Sequence, residues 1–252
     1  MREDDILIAD SGCQRTLTLN RSRKANALTA GMMDALGLGI EDSPGEINVL
    51  RSASATLFCA GADIAGFAAG GDHIAEMEGA LVRMIGKFAH SRTPLVVLAR
   101  GKASGAGALL LALADVVIAA DDLELGCPEI QFGMFPVIVE AVLQSRLASA
   151  LAARICLGHP LSADAAHGVG LVTEILPRAT FDTQSEDRLA FYLERASGMA
   201  MARRSRQLAL PPEALMAHVH AVAPLMAENF AQAGVQARIL SYLDILQKKR
   251  AT

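Results

Sequence analysis

The sequence predicts an α/β domain whose sheet turns stack on one another, leading into a mostly helical C-terminal third. Three observations predict it. Short strand-like runs alternate with helical stretches through the first half of the chain, with no long polar linker between them. From about residue 140 the texture changes to Ala-, Leu- and Met-rich stretches at helical spacing. The 252 residues are 52% hydrophobic but only 4% aromatic, with no Trp. One sizeable core must therefore be built from aliphatic side chains. The expected organisation is a ββα core over residues 1–190 followed by a helical region over 191–252.

The elements follow in order. "DILIAD" and "CQRTLTLN" read as strands joined at "SG", a hairpin signal. "TAGMMDALGLGIED" carries apolar residues at helical spacing, with Thr29 as N-cap. "INVLRSA" is strand-like, "HIAEMEGALVRMIGKFAHS" is an amphipathic helix and "PLVVLARG" a buried strand. "GALLLALA" reads as a buried helix, "DVVIAA" as a strand, and "LELGCPEI" as a short strand ending near Glu129. Four helical stretches complete the chain: "EAVLQSRLASALAARICLG", "FDTQSEDRLAFYLERASGMAMARRSRQLA", "PPEALMAHVHAVAPLMAENFAQAG" and "QARILSYLDILQKKR". Pro211 and Pro212 start the third of these.

Charge and composition exclude several classes. The formal net charge is −4, with no basic block longer than "KKR", so nucleic acid is not the expected partner. The acidic start "MREDDILIAD" is not a signal peptide. The one membrane-like run, residues 103–120, has small residues at its start and Asp115 near its end. It reads as a buried helix leading into a buried strand, so no membrane partner is expected. Cys13, Cys59, Cys127 and Cys156 form no CxxC pair, and three lie among apolar residues. They read as reduced core thiols of a cytoplasmic protein, with no disulfide or zinc framework. No His/Cys/Asp cluster has metal spacing, and no Ser-His-Asp arrangement is visible.

The chemistry-bearing residue is Glu129, in "LELGCPEIQFGMFP". An unpaired carboxylate is expensive to bury, so one in so apolar a run has a use or a partner. Two Gly/Ala-rich segments accompany it, "FCAGADIAGFAAGG" at 58–71 and "RGKASGAGALLLALAD" at 100–115. Small residues let a ligand or another backbone come close. The second segment runs into a helix start, where free N–H groups at the positive end of the dipole suit a developing oxyanion. Neither segment is specific by itself.

Order and linkage make them specific. "RSRKANALTAGMMDAL", "FCAGADI", "GKASGAGALLLALADVVIAADDLELGCPEI" and "LSADAAHGVGLVTEILP" together resemble the crotonase (enoyl-CoA hydratase/isomerase) superfamily across nearly the whole chain. The resemblance implies a stacked ββα spiral with a helical trimerisation region, acting on an acyl-CoA thioester as a homotrimer or dimer of trimers. Coenzyme A would enter as part of the substrate, with no permanently bound cofactor and no metal. The Ala62 and Ala106 N–H groups would hold the thioester carbonyl. Lys24 and Ala25 would touch the pantetheine or phosphates, and Ala60, Ala62, Asp63 and Ile64 would line the adenine and pantetheine pocket. Glu129 would be the acid/base.

Three departures from the family pattern shape the expected reaction. The family's hydratases carry a second glutamate twenty positions before the first, and here that position is Leu109. A single carboxylate suffices for a 1,3-proton shift, so enoyl-CoA isomerisation is favoured over hydration. A thioester hydrolase, a decarboxylase and a CoA-binding protein without catalysis are the further alternatives. Val137, Ile138 and Val139 replace a Gly-rich segment and should reshape the acyl pocket, which depends on loops 64–80 and 131–145 and on where the C-terminal helices lie. Glu140 reads chiefly as a helix-start residue, and catalytically only as a substitute for the missing carboxylate. Ala106 replaces glycine and leaves its N–H usable. His90 reads as structural, and His73, in a loop near the acyl pocket, is a weak second candidate. His159 and His167 lie in turns outside the constellation. Lys248 and Lys249 read as a solvated helix end or a contact to a CoA phosphate.

Overall fold

The computed structural model describes residues 5–41, 43, 45–67, 71–232 and 234–251. The first four residues of the acidic start, residues 68–70 of the loop before His73, and the side chains of Lys248 and Lys249 lie outside that description.

The chain winds as successive turns around a large sheet, and the third and fourth turns each add a shorter strand to a small sheet. Strands β1 (Ile6–Ser11) and β2 (Gln14–Leu19) form the hairpin, turning at Gly12 with φ 59°. Helix α1 (Ala30–Glu41) follows, its Met32 N–H donating to Thr29 Oγ1 at 3.2 Å, the cap that the sequence predicts. The second turn is β3 (Ile47–Ser52), the short α2 (Ile64–Phe67) and α3 (Gly71–His90). The third is β4 (Leu95–Ala99), β5 (Lys102–Ser104) and α4 (Ala106–Leu113). The fourth is β6 (Val116–Ala120), β7 (Glu124–Gly126), a 3-10 turn at Pro128–Phe132, α5 (Val137–Leu143) and α6 (Ser149–Cys156). Then come β8 (Leu161–Ser162), α7 (Ala163–Gly168), β9 (Glu174–Leu176) and α8 (Phe181–Leu193). The end of the chain is α9 (Ala196–Ala209), α10 (Pro212–Val222), α11 (Pro224–Ala231) and α12 (Val235–Ala251).

The six-stranded sheet has the order β1-β2-β3-β4-β6-β9 and is parallel except for the hairpin. The small sheet has the order β5-β7-β8, and single bridges at Cys59–Ala103 and Leu28–Ala62 carry that layer towards earlier turns. Parallel strands need buried faces on both sides, and β4 and β6 are buried at every residue. One face packs on α1, α3 and α4, and the other on α8 and α9 through Phe181, Leu189 and Ala196. The run 103–120 is a buried helix and a buried strand, α4 and β6. Among the described residues no helix is long and apolar enough to cross a membrane.

Three predicted helical stretches are each broken in two, that from 211 to 234 at Ala223, between α10 and α11. The stretch from 140 to 158 splits between α5 and α6 at Gln144–Ala148, where Arg146 turns inward to donate to Ala114 O at 2.5 Å, beyond the end of α4. The stretch from 181 to 209 splits between α8 and α9 at Glu194–Arg195. Residue 190, the expected division of the chain, falls inside α8. Cys59, Cys127 and Cys156 are buried free thiols, while Cys13 is exposed.

Candidate active site

Four segments meet at one end of the small sheet. The first is the turn at 21–27. Ala25 and Asn26 have φ of 52° and 53°, a left-handed conformation that L-residues avoid unless something holds them. Asn26 supplies the hold. It is fully buried, its Oδ1 accepts from Arg21 N–H at 2.9 Å, and its Nδ2 donates to Ser52 Oγ at 2.7 Å and Phe58 O at 3.0 Å. Arg21 in turn donates to Ala27 O at 2.8 Å and pairs with Asp63 at 2.7 Å. The exposed Lys24 and the half-buried Ala25 are carried to the cavity mouth by this frame.

The second segment is the loop at 58–63. The buried Cys59 thiol donates to Asn26 O at 3.2 Å, and burial pushes its pKa up to about 12, so it serves as a neutral packing group. Gly61 has φ 102°, and a Cβ there would sit 3.1 Å from Ser104 O and 3.8 Å from Ala106 N. Its glycine identity thus sets the spacing between this loop and the start of α4. Leu28 N–H donates to Gly61 O and Asp63 N–H to Leu28 O, both at 2.8 Å. The Ala62 N–H between them has no acceptor among the described residues.

The third segment is β5 running into α4. Gly105 has φ 50° and ψ −113°, and its N–H donates to Gly126 O at 2.9 Å. At Gly107 a Cβ would fall 2.7 Å from Cys59 O, which shows how closely the helix approaches the second segment. Ala106 is the first residue of α4, so its N–H has no partner within the helix, and none elsewhere among the described residues.

The fourth segment is the 3-10 turn that follows β7, opened by Pro128 and closed by Gly133 at φ 78°. It presses Glu129 against the start of α4: a Cβ on Gly105 would lie 2.0 Å from Glu129 Oε1. Glu129 Oε2 is buried with no hydrogen-bond partner among the described residues. Burial raises its pKa from 4.5 to about 7, against a smaller opposing backbone hydrogen bond.

All eight candidates named from the sequence, Lys24, Ala25, Ala60, Ala62, Asp63, Ile64, Ala106 and Glu129, line a single cavity of about 400 Å³. Asp63 is engaged there, in its ion pair with Arg21 and in accepting from Ala65 N–H at 3.1 Å. Glu129 is the other carboxylate of the lining. Leu109 is fully buried in the core beneath the cavity wall and is not part of the lining. Glu140 sits in the first turn of α5, accepts from Gln144 Nε2 at 2.8 Å and does not line the cavity. His73 is the third residue of α3, beside Glu76. The His90 ring reaches Gly86 O at 2.8 Å, and that of His167 reaches Val172 O at 3.0 Å, so both serve as local ties. Neither they nor His159 line the cavity. Among the described residues no group of three His, Cys, Asp or Glu could hold a metal ion.

Val137, Ile138 and Val139 of α5, expected to reshape the acyl pocket, form part of the far wall, and α11 and α12 supply Met226, Phe230, Tyr242 and Leu243, individual residues that sequence reasoning did not name. Asn229 clamps α11 to the loop before α5, accepting from Phe135 N–H at 3.3 Å and donating to Phe135 O at 3.0 Å. Tyr242 meets Phe132 edge to face at 5.1 Å between centroids. No local pattern places these residues, which lie about a hundred positions from Glu129 in sequence.

Comparison with known proteins gives concordant results. The family model described as enoyl-CoA hydratase/isomerase matches residues 14–249. The chain is 31% identical over 195 residues to enoyl-CoA delta isomerase 2 of Rattus norvegicus, covering 74% of this chain and 50% of that protein, so it spans about half the length of that relative. It is 30% identical over 188 residues to the probable enoyl-CoA hydratase echA8 of Mycobacterium tuberculosis, covering 70% of each. It is 30% identical over 190 residues to 2,3-dehydroadipyl-CoA hydratase of Escherichia coli, covering 73% and 71%. The crystal structure of enoyl-CoA hydratase from Bacillus halodurans superposes with TM-score 0.83 at 18% identity, covering 94% of this chain and 99% of that one. That of an enoyl-CoA hydratase/isomerase from Mycobacterium paratuberculosis gives 0.82 at 22%, covering 94% and 98%. These structures establish the crotonase fold.

Proposed function

Since the chain belongs to the enoyl-CoA hydratase/isomerase family, we propose that it moves the double bond of an enoyl-CoA, using one carboxylate and two backbone amides. The observation that carries this reading is Glu129. Among the described residues it is the one carboxylate of the cavity without an ion-pair partner, it lies against the start of α4, and its pKa of about 7 suits both taking and returning a proton near neutrality.

In the proposed reaction the Ala62 and Ala106 N–H groups donate to the thioester carbonyl oxygen. Neither donor has an acceptor among the described residues, so both would be available to stabilise the enolate without giving up another partner. Glu129 removes a proton from one carbon, charge spreads onto the carbonyl oxygen, and the same carboxyl returns the proton two carbons away. Lys24, Ala25, Ala60, Asp63 and Ile64 would form the CoA side of the cavity. Asp63 would do so through its pair with Arg21, which holds the loop in place.

Hydration is the second reading, favoured by the hydratases among the relatives. It would rest on Glu129 alone to direct water, because Leu109 cannot hydrogen-bond and Glu140 does not reach the cavity. Binding without turnover is a third reading, motivated by Leu109. The expected assembly is a homotrimer or a dimer of trimers, a reading supported by Met201, Leu208 and Leu210 standing exposed on or just after α9.

The test is mass spectrometry of 2-enoyl- and 3-enoyl-CoAs after incubation in deuterated water. Deuterium entering the acyl chain without addition of water is the expected result. Gain of a whole water would replace isomerisation by hydration, and no change on any substrate would leave binding without catalysis.

A further inference from the structure

The far wall of the cavity, where the acyl group would lie, is mainly hydrocarbon among the described residues. It includes Leu81 from α3, Phe132 from the 3-10 turn, Ile138 and Val139 from α5, Phe230 from α11 and Leu243 from α12. Five elements distant in sequence each contribute an apolar side chain. The polar groups of the lining are spent or open to solvent. Asn229 uses both ends of its amide on the Phe135 backbone. Asp63 is paired with Arg21. Gln131 and Tyr242 are exposed. The one cation of the lining, Lys24, is exposed on the turn whose Ala25 O accepts from Ala60 N–H. Arg238, which comes near this region, gives its Nε–H to Phe132 O at 2.7 Å and is not part of the lining.

From this we propose that the enzyme selects acyl groups that are hydrocarbon to their far end and rejects those ending in a carboxylate. The inference rests on the acyl-CoA reading above and narrows it. A terminal carboxylate held against this wall would lose water and, among the described residues, meet no buried donor that is not already engaged, and an unpaired buried charge is among the costliest arrangements in a protein. Sites gain their largest discrimination where a polar group goes unpaired, whereas an added methylene changes affinity only modestly. Glu129 sharpens the effect, since a second carboxylate in the same cavity would share it with the Glu129 carboxyl, and among the described residues the lining cation, Lys24, is exposed.

The test uses saturated thioesters, so that it reads binding separately from chemistry. Adipyl-CoA is compared with 6-methylheptanoyl-CoA, which has the same shape with two methyls in place of the two terminal oxygens, and with free CoA, by competition or calorimetry on the wild-type protein. Binding of 6-methylheptanoyl-CoA at least tenfold tighter than adipyl-CoA is the expected result. Equal affinity of the two, within about twofold, while both bind tighter than free CoA, would overturn the selectivity and leave the acyl-CoA reading intact. Failure of all three to bind would overturn both.

Discussion

Helix α4 has a buried carboxylate at each end, and the two live differently. Beyond its C-terminal end, Asp115 is almost fully buried, pairs with Arg203 at 2.6 Å and with Arg206, and accepts from Leu95 N–H at 2.8 Å. Arg203 is buried too, and spends its remaining donors on Ser91 O and Phe88 O near the end of α3. At the N-terminal end, Glu129 has a buried oxygen with no partner. The first carboxylate is neutralised on all sides and ties α9 to the core. The second is left with its desolvation uncompensated, which keeps its proton exchangeable near neutral pH. Partnered burial makes structure, whereas unpartnered burial is what the proposed chemistry would use.

Breaking the two ends should therefore have opposite consequences. The largest effect is expected from Glu129→Gln, which removes the acid/base but preserves shape: kcat for proton transfer should fall about 10³-fold while acyl-CoA binding persists. Steady-state kinetics alongside calorimetry measure it, and a variant that keeps most of its rate would refute the role of Glu129. Asp115→Ala should leave the cavity residues untouched but strand the buried Arg203, costing about 3–5 kcal/mol of stability. Urea unfolding reads this directly, and a loss under 1 kcal/mol would mean that the cluster is not what holds α9.

The smallest effect sharpens the comparison through pH. In the unfolded chain Glu129 gives up its proton near 4.5, but in the folded protein near 7. Below 4.5 both states are protonated and its burial carries no charge cost. Between 4.5 and 7 the unfolded state binds fewer protons, so stability falls as pH rises, and above 7 the cost is complete. Glu129→Gln should accordingly be more stable than wild type by up to about 3 kcal/mol at pH 8 and no more stable at pH 4. Denaturant midpoints at the two pH values check this, and a gain of equal size at both would point to packing instead of charge.

Much of this was legible in the sequence because its signals are local. Thr29 before an apolar period announces the start of α1, and the bulky aliphatic runs at 95–99 and 116–120 announce buried parallel strands. β5, β8 and β9 were not legible, since two or three residues carry no period and exist only as additions to strands already in place. The break between α5 and α6 has no glycine or proline to mark it, and Arg146 reaching past the end of α4 is a contact that only the packed chain contains. Asn26 was overlooked for the same reason, because its partners Ser52 and Phe58 lie 26 and 32 positions away.

By itself, then, the sequence determined the α/β class and the turn-by-turn order of elements, and it nominated the residues that the proposed chemistry would use. Those depend on side-chain period, backbone preference and residue type, all of which are written along the chain. Tertiary structure alone decided that Ala62 and Ala106 leave their amides free beside Glu129, and that Asp63 and Glu140 are engaged with Arg21 and Gln144. It also decided that α11 and α12 line the far wall of the cavity, mainly with hydrocarbon. A group's hydration, its pKa and its partners depend on what surrounds it in space, and those surroundings come from segments that the sequence keeps far apart.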